Sequence, residues 1–266
     1  MSERRWQGRT AVVTGAGRGI GEAIAVALAR RGVVVGVNDL ADGPDLQRVT
    51  EICRQEAGEA VALPFDVADQ QSVESGLERF VRQTGRLDFL VPNAAYSDRQ
   101  LFYEADMAGF RRTIDVTMWG PFFLVRAGAQ QMIASKLPGS IVVVSSTHAS
   151  RPIPGSMAYN MAKAAVEQLV RTAATELVEY RIRVNAVRPG WVDTPGERKF
   201  FTEQMLAEIG RKLPMGRLER PDEIADGVLM LLDPEREAIN GAVLSVDGGI
   251  ELPVDQLFRV RRRSAE

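Results

Sequence analysis

The chain has 266 residues, 45% of them hydrophobic, which is enough to bury a sizeable core, and no proline- or serine-rich linker divides it. Its formal net charge of -2 gives no general electrostatic reason to expect nucleic acid or an anionic membrane as partner. A single cysteine, Cys53, excludes an intrachain disulfide framework, and with one histidine it also excludes the usual His/Cys metal clusters, so no metal site is expected.

The polar start, MSERRWQGRT, lacks the apolar segment of a signal peptide. No apolar run approaches the roughly 18 residues of a membrane span, so no membrane-spanning segment is expected, and the single cysteine suits a cytoplasmic setting. Valine-rich apolar runs at 11–13, 33–37, 60–65, 87–91, 141–144, 183–187 and 242–246 alternate with helical periodicity near 19–31, 45–57, 70–84, 105–135, 157–179 and 221–232. Runs apolar on both faces suit strands covered on both sides, and alternation with helices implies right-handed crossovers in a parallel sheet. The expected fold class is therefore α/β, a doubly wound parallel sheet, in a single domain over 1–266 with its core at about 8–251 and a tail at 252–266. Cys53 lies in an amphipathic pattern and reads as a small core residue. The arginines at 259, 261, 262 and 263 read as a solvated tail or as a subunit or polyanion contact.

The first strand runs into Thr14 and the turn Gly15, Ala16, Gly17, Arg18, Gly19, Ile20, Gly21 before an alanine-rich helix. A glycine turn between strand and helix turns backbone N–H groups and the positive helix end toward a pyrophosphate, without side chains to hold it off. The spacing departs from the G-x-G-x-x-G fingerprint, with the useful glycines at 15, 19 and 21. Gly15, Arg18, Gly19, Ile20 and Gly21 are the candidate phosphate-binding turn of a dinucleotide site. Asp39, at the end of the second strand, can accept hydrogen bonds from an adenosine ribose and would repel a 2′-phosphate, which argues for NAD over NADP. Arg18 pulls weakly the other way. Asp66 and Val67 after the third strand, and Asn93 and Ala94 after the fourth, fall where an adenine or ribose could lie, although Asp66 equally suits a helix N-cap.

The fifth strand ends in Ser145 and Ser146, and after a Gly/Pro-rich loop a helical pattern carries Tyr159 and Lys163. Residues four apart on a helix share a face, so a phenol, an ammonium and the Ser146 hydroxyl at the strand mouth can meet as a proton-transfer site. Further on, the segment 195–213 is polar and helical in pattern, with Phe200, Phe201 and Met205 interspersed, and reads either as a substrate lid or as a packed helix.

Taken together, TGAGRGIG at 14–21, FDV at 65–67, LDFLVPNAA at 87–95, SS at 145–146, YNMAK at 159–163, RPGWVDT at 188–194 and VDGG at 246–249 closely resemble the short-chain dehydrogenase/reductase family over about residues 8–251. The resemblance implies a three-layer Rossmann fold with about seven strands, and hydride transfer between nicotinamide and a carbonyl or alcohol. It implies Ser146, Tyr159 and Lys163 as the catalytic set, with Lys163 also on the nicotinamide ribose. It further implies that the segment with Pro189, Gly190, Val192 and Thr194 holds the nicotinamide carboxamide. The Tyr-x-x-x-Lys spacing favours carbonyl/alcohol chemistry, because related enoyl reductases typically separate the pair more widely.

Two positions depart from the family pattern. Pro92 stands where an asparagine is usual, and Thr117 stands where the family usually has an asparagine whose backbone carbonyl holds a relay water. An altered relay, or a catalytically weak NAD(H)-binding sensor or scaffold, is the competing reading. His148, Trp191 and Tyr96 are the candidate substrate contacts, with His148 able to orient a polyhydroxylated substrate, to titrate near neutral pH, or simply to be solvated. The stretch LPMGRLERPDEIA at 213–225 resembles the branch containing bacterial glucose 1-dehydrogenases and 3-oxoacyl-carrier-protein reductases. A small-molecule sugar or secondary alcohol is thus expected as substrate, with a 3-oxoacyl thioester as the alternative, and a homotetramer as the assembly.

Overall fold

The computed structural model describes residues 5–252. Seven strands, β1 (Thr10–Val13), β2 (Val34–Asp39), β3 (Ala60–Pro64), β4 (Phe89–Val91), β5 (Gly139–Val144), β6 (Ile182–Pro189) and β7 (Val243–Val246), form one sheet in the order β3-β2-β1-β4-β5-β6-β7. Every neighbouring pair is parallel. The helices between them are α1 (Gly19–Ala29), α2 (Pro44–Ala57), α3 (Gln70–Thr84), α4 (Met107–Ile114), α5 (Gly120–Ser135), α6 (Met157–Glu176), α7 (Glu203–Lys212) and α8 (Pro221–Leu232).

The alternation of a strand sorts its side chains into the two outer layers. Ala11 and Val13 of β1, with Val142 and Val144 of β5, pack among Ile24, Leu28, Leu46 and Val228 from α1, α2 and α8. Val12, Ile141 and Val143 face the other way, among Val73, Leu77, Leu124 and Val166 from α3, α5 and α6. Cys53 is fully buried in the first of these layers, as a core residue. Because the chain winds outward from β1 to β3 and then returns to β4 on the other side, the strand order reverses between β1 and β4. The carboxyl ends of these strands open a crevice there, the place where α/β sheets bind ligands.

One predicted helix is broken. The pattern over 105–135 resolves into α4, a π-helical turn at Asp115–Trp119, and α5. Pro121 has no N–H to give the Thr117 carbonyl four residues back, and Gly120 N donates five residues back to Asp115 O instead. Gly120 sits against Val67, where a Cβ would come within 3.0 Å of the Val67 methyl. The tail beyond Leu252, with its arginine cluster, lies outside the described residues.

Candidate active site

The glycine turn is held from beneath. Asn38, buried at the end of β2, accepts the Gly15 N–H on its side-chain oxygen at 3.4 Å, and its own carbonyl accepts the Ala16 N–H at 2.8 Å. The Asn93 amide donates to the carbonyls of Thr14 and Gly15 at 2.9 and 3.1 Å. Those bonds occupy the carbonyl side of the turn. The N-terminus of α1 keeps its N–H groups uncapped, because Arg18 at the N-cap makes no side-chain cap bond.

Gly15 and Gly19 have φ of +60° and +61°, conformations that favour glycine. A Cβ at Gly15 would lie 2.8 Å from Ala94 Cα, one at Gly17 would overlap Asp39 Oδ2, and one at Gly21 would overlap the Gly15 carbonyl. This cradle, with a helix N-terminus above it and the Asp39 carboxylate beside it, fits a dinucleotide pyrophosphate and ribose. Gly17 belongs to the cradle although the spacing argument passed over it. Asp66 does not cap a helix: Asp69 caps α3, while Asp66 accepts the Ala68 N–H and pairs with Arg112 at 3.0 Å.

At the far side of the crevice, Ser146 leaves β5 and α6 brings Tyr159 and Lys163 to the same wall. Lys163 is buried, and its Nζ donates to the Val144 carbonyl at 2.7 Å while lying 5.5 Å from the centre of the Tyr159 ring. Burial pushes the Lys163 ammonium down to about 8, against the Glu167 carboxylate one turn along, which favours its charge. Burial pushes the Tyr159 phenol up to about 12, and the hydrogen bond with Ser146 works in the opposite direction. The phenol is therefore a protonated donor at neutral pH until positive charge is brought against it.

His148 is half-buried rather than solvated. Its ring meets Tyr159 edge-on at 5.1 Å, and burial pulls its pKa below the ordinary value. The Asn160 amide donates to the Ile153 carbonyl, so Asn160 Oδ1 accepts from His148 Nδ1 at 2.8 Å and Nε2 remains an acceptor.

The Thr117 hydroxyl does not bond back to a helical carbonyl. It reaches across to the loop after β4, accepting from the Tyr96 N–H at 3.0 Å and donating to the Tyr96 carbonyl at 2.8 Å. The π turn thus places the Thr117 carbonyl where no α-helical N–H claims it. The missing Pro92 N–H is tolerated because the β4–β5 ladder is registered only through Leu90, and the Pro92 carbonyl still accepts from Val144 N at 2.9 Å.

Gly15, Arg18, Gly19, Ile20, Asp39, Asp66, Val67, Asn93, Ala94, Pro189, Gly190, Val192 and Thr194 line one continuous cleft with Ser146, Tyr159 and Lys163. Its volume of about 2020 Å³ exceeds the few hundred to about 1,000 Å³ of a single small-ligand site, leaving room for a dinucleotide and a second molecule. His148, Trp191 and Tyr96 line its outer part, and Thr117 lies behind the wall.

Several residues here carry no sequence signal of their own. Glu197 accepts from Arg99 at 3.2 Å and from the Trp191 indole N–H at 3.0 Å, while the Arg99 guanidinium stacks over Phe200 at 4.2 Å. Within 195–213, Phe200 and Met205 are exposed, whereas Leu206 is buried. Behind Lys163, Arg188 grips Glu167 through two bonds of 2.8 and 2.6 Å, and Ser145 donates to the same carboxylate at 2.8 Å.

A family model described as enoyl-(acyl carrier protein) reductase matches residues 15–251. Glucose 1-dehydrogenase 2 of Bacillus subtilis is 30% identical over 251 residues, covering 94% of this chain and 97% of that protein. Cis-4-hydroxycyclohexanecarboxylate dehydrogenase of Sinomonas cyclohexanicum is 37% identical over 242 residues, covering 91% and 96%. The chain belongs to the short-chain dehydrogenase/reductase family. Among solved structures of this family, a 7α-hydroxysteroid dehydrogenase complexed with NADH and 7-oxo glycochenodeoxycholic acid superposes with a TM-score of 0.87 at 30% identity, covering 94% of this chain and 97% of that one. Membership makes the protein a short-chain oxidoreductase whose family binds nicotinamide cofactors.

Proposed function

We propose that the protein is an NAD-dependent dehydrogenase/reductase of a secondary alcohol or ketone. The observation that carries this reading is Lys163, buried between the Val144 carbonyl and the Tyr159 ring, on the wall of a cleft whose other side is a glycine cradle. A nicotinamide bound there supplies or takes up the hydride. The chain's own residues handle the proton. In reduction the Tyr159 phenol donates to the substrate oxygen; in oxidation it takes that proton back, with the nearby Lys163 ammonium favouring phenolate. Ser146 holds the same oxygen by hydrogen bond and stabilises the charge that develops on it. The Thr117 carbonyl, which Pro121 cannot serve with an N–H, is the relay position in this reading, and the Thr117 hydroxyl braces the Tyr96 loop.

Asp39 favours NAD, since its Oδ1 accepts only the Leu40 N–H at 2.7 Å and its Oδ2 faces the glycine turn where a ribose diol would lie. The matched family description names reduction of a carbon–carbon double bond, but the Tyr159–Lys163 spacing and the named activities of the relatives support CH–OH chemistry on a sugar or small hydroxy compound. A 3-oxoacyl thioester is the alternative substrate class. The half-exposed Trp119, Phe122, Met157 and Met161 on the π turn, α5 and α6 support a homotetramer, which light scattering tests. The single free cysteine fits a cytoplasmic setting.

Spectrophotometric NADH production over a panel of sugars, polyols, hydroxy acids, steroids and 3-hydroxyacyl thioesters tests the assignment. Turnover of at least one secondary alcohol is expected. Tight NADH binding with no turnover of any would favour a nicotinamide sensor or scaffold instead.

A further inference from the structure

The outer half of the cleft has apolar walls and an unbalanced charge. Trp191 and Phe201, packed edge to face at 5.4 Å, line it together with Ile153, Pro154 and Met215. The lining also carries four exposed cations, Arg151, Lys199, Arg211 and Lys212. Among the described residues none of the four is paired with a carboxylate. Of the acids lining this half, Glu197 is paired with Arg99 and bonded to Trp191, while Asp98 accepts the neutral Gln100 amide at 3.2 Å and keeps its charge, so the four cations remain in excess. Arg211 and Lys212 suit the C-terminal turn of α7, where cations meet the helix dipole, but that argument does not reach Lys199 or Arg151.

Arg151 is the one held in place. It lies five residues past Ser146, and its Nη1 donates to the Ile250 carbonyl at 2.6 Å, which ties the guanidinium to the turn after β7 and leaves its other N–H groups unspent. A cleft lined by one sign of charge over low-dielectric walls concentrates ligands of the opposite sign.

We propose that this half of the cleft binds an organic carboxylate with an apolar body: a hydroxy or oxo acid whose ring or chain lies on Trp191 and Phe201 and whose carboxylate is met by Arg151. Lys199, Arg211 and Lys212 draw it in. The inference rests on the dehydrogenase reading and narrows its substrate class, since a neutral sugar would leave all four cations uncompensated.

Calorimetry on the enzyme–NADH complex separates the two readings. NADH is titrated first, and failure to bind would count against the nicotinamide site itself. Cyclohexanecarboxylate and cyclohexanecarboxamide are then titrated as probes of equal shape. The carboxylate is expected to bind about tenfold tighter, the advantage of a charge-assisted pair, and to lose most of that advantage between about 10 mM and 300 mM salt. Arg151→Gln is expected to bring the carboxylate to the affinity of the amide while NADH binding holds. The exposed pair Lys199→Gln and Lys212→Gln is expected to weaken it several-fold at low salt only, which tests the field without touching the loop after Ser146. Equal affinity for the two probes, no binding of either, or a carboxylate advantage that survives Arg151→Gln would overturn the proposal.

Discussion

Glu219→Gln is expected to stabilise the protein above pH 7 and to leave it unchanged near pH 5. Glu219 lies under the loop after β6: its backbone N–H donates to the Trp191 carbonyl at 3.0 Å, and its own carbonyl accepts from Asp193 N at 2.8 Å. A Cβ at Gly190 would come within 2.7 Å of its Oε1, and its Oε2 is buried without a hydrogen-bond partner. Burial, reinforced by the Asp247 carboxylate, raises its pKa from 4.5 to about 7. As pH rises through that interval the unfolded chain releases a proton that the fold retains, so stability falls, and it levels off once the folded group also ionises. At about 1.36 kcal/mol per pH unit, the loss reaches about 3 kcal/mol by pH 8. The amide cannot ionise and escapes it. Urea unfolding of both proteins at matched concentration and ionic strength, at steps from pH 5 to pH 8, should show the variant's advantage growing from near zero to about 3 kcal/mol, or roughly 6–10 °C in Tm. A difference that does not change with pH would refute the reasoning.

Asp39→Ala should cut the kcat/KM preference for NAD over NADP by about tenfold or more, since one repulsion and one ribose contact go together; an unchanged ratio would remove Asp39 from cofactor choice. Gly17→Ala, which drives a methyl into Asp39, should raise the Kd for NADH by at least about tenfold, the cost of a misplaced carboxylate, measured by fluorescence titration. Thr117→Ala leaves the backbone carbonyl in place but cuts the two bonds to Tyr96, so kcat should fall several-fold while its pH dependence keeps its shape. A displaced pH profile would mean that the hydroxyl itself sits in the relay.

The strands were legible because a strand buried on both faces leaves an unbroken apolar run: 141–144 names most of β5 and 60–65 all of β3. The glycine turn, Asp39, Ser146, Tyr159 and Lys163 fall at strand ends and one helix face, where local pattern fixes position. The π turn was missed because amphipathic period over 105–135 continues through it. Its signal was Pro121, whose missing N–H falls four residues after Thr117. Arg99, Glu197 and the pair Glu167–Arg188 were invisible for another reason: partners 98 and 21 residues apart meet only when loops close over the sheet, and no sequence period records that. The half-burial of His148 has no local signal, because it depends on Asn160 and Tyr159 from the next helix.

The proton step is the centre of the account, and Tyr159→Phe isolates it by removing one oxygen from the cleft. Steady-state NADH production by wild type and variant, with the best alcohol from the panel, should show kcat lower by about 10² to 10⁴ in the variant while its affinity for NADH changes little. A variant that turns over at the wild-type rate would contradict the assignment of Tyr159 and, with it, the reading of the cleft as a dehydrogenase site.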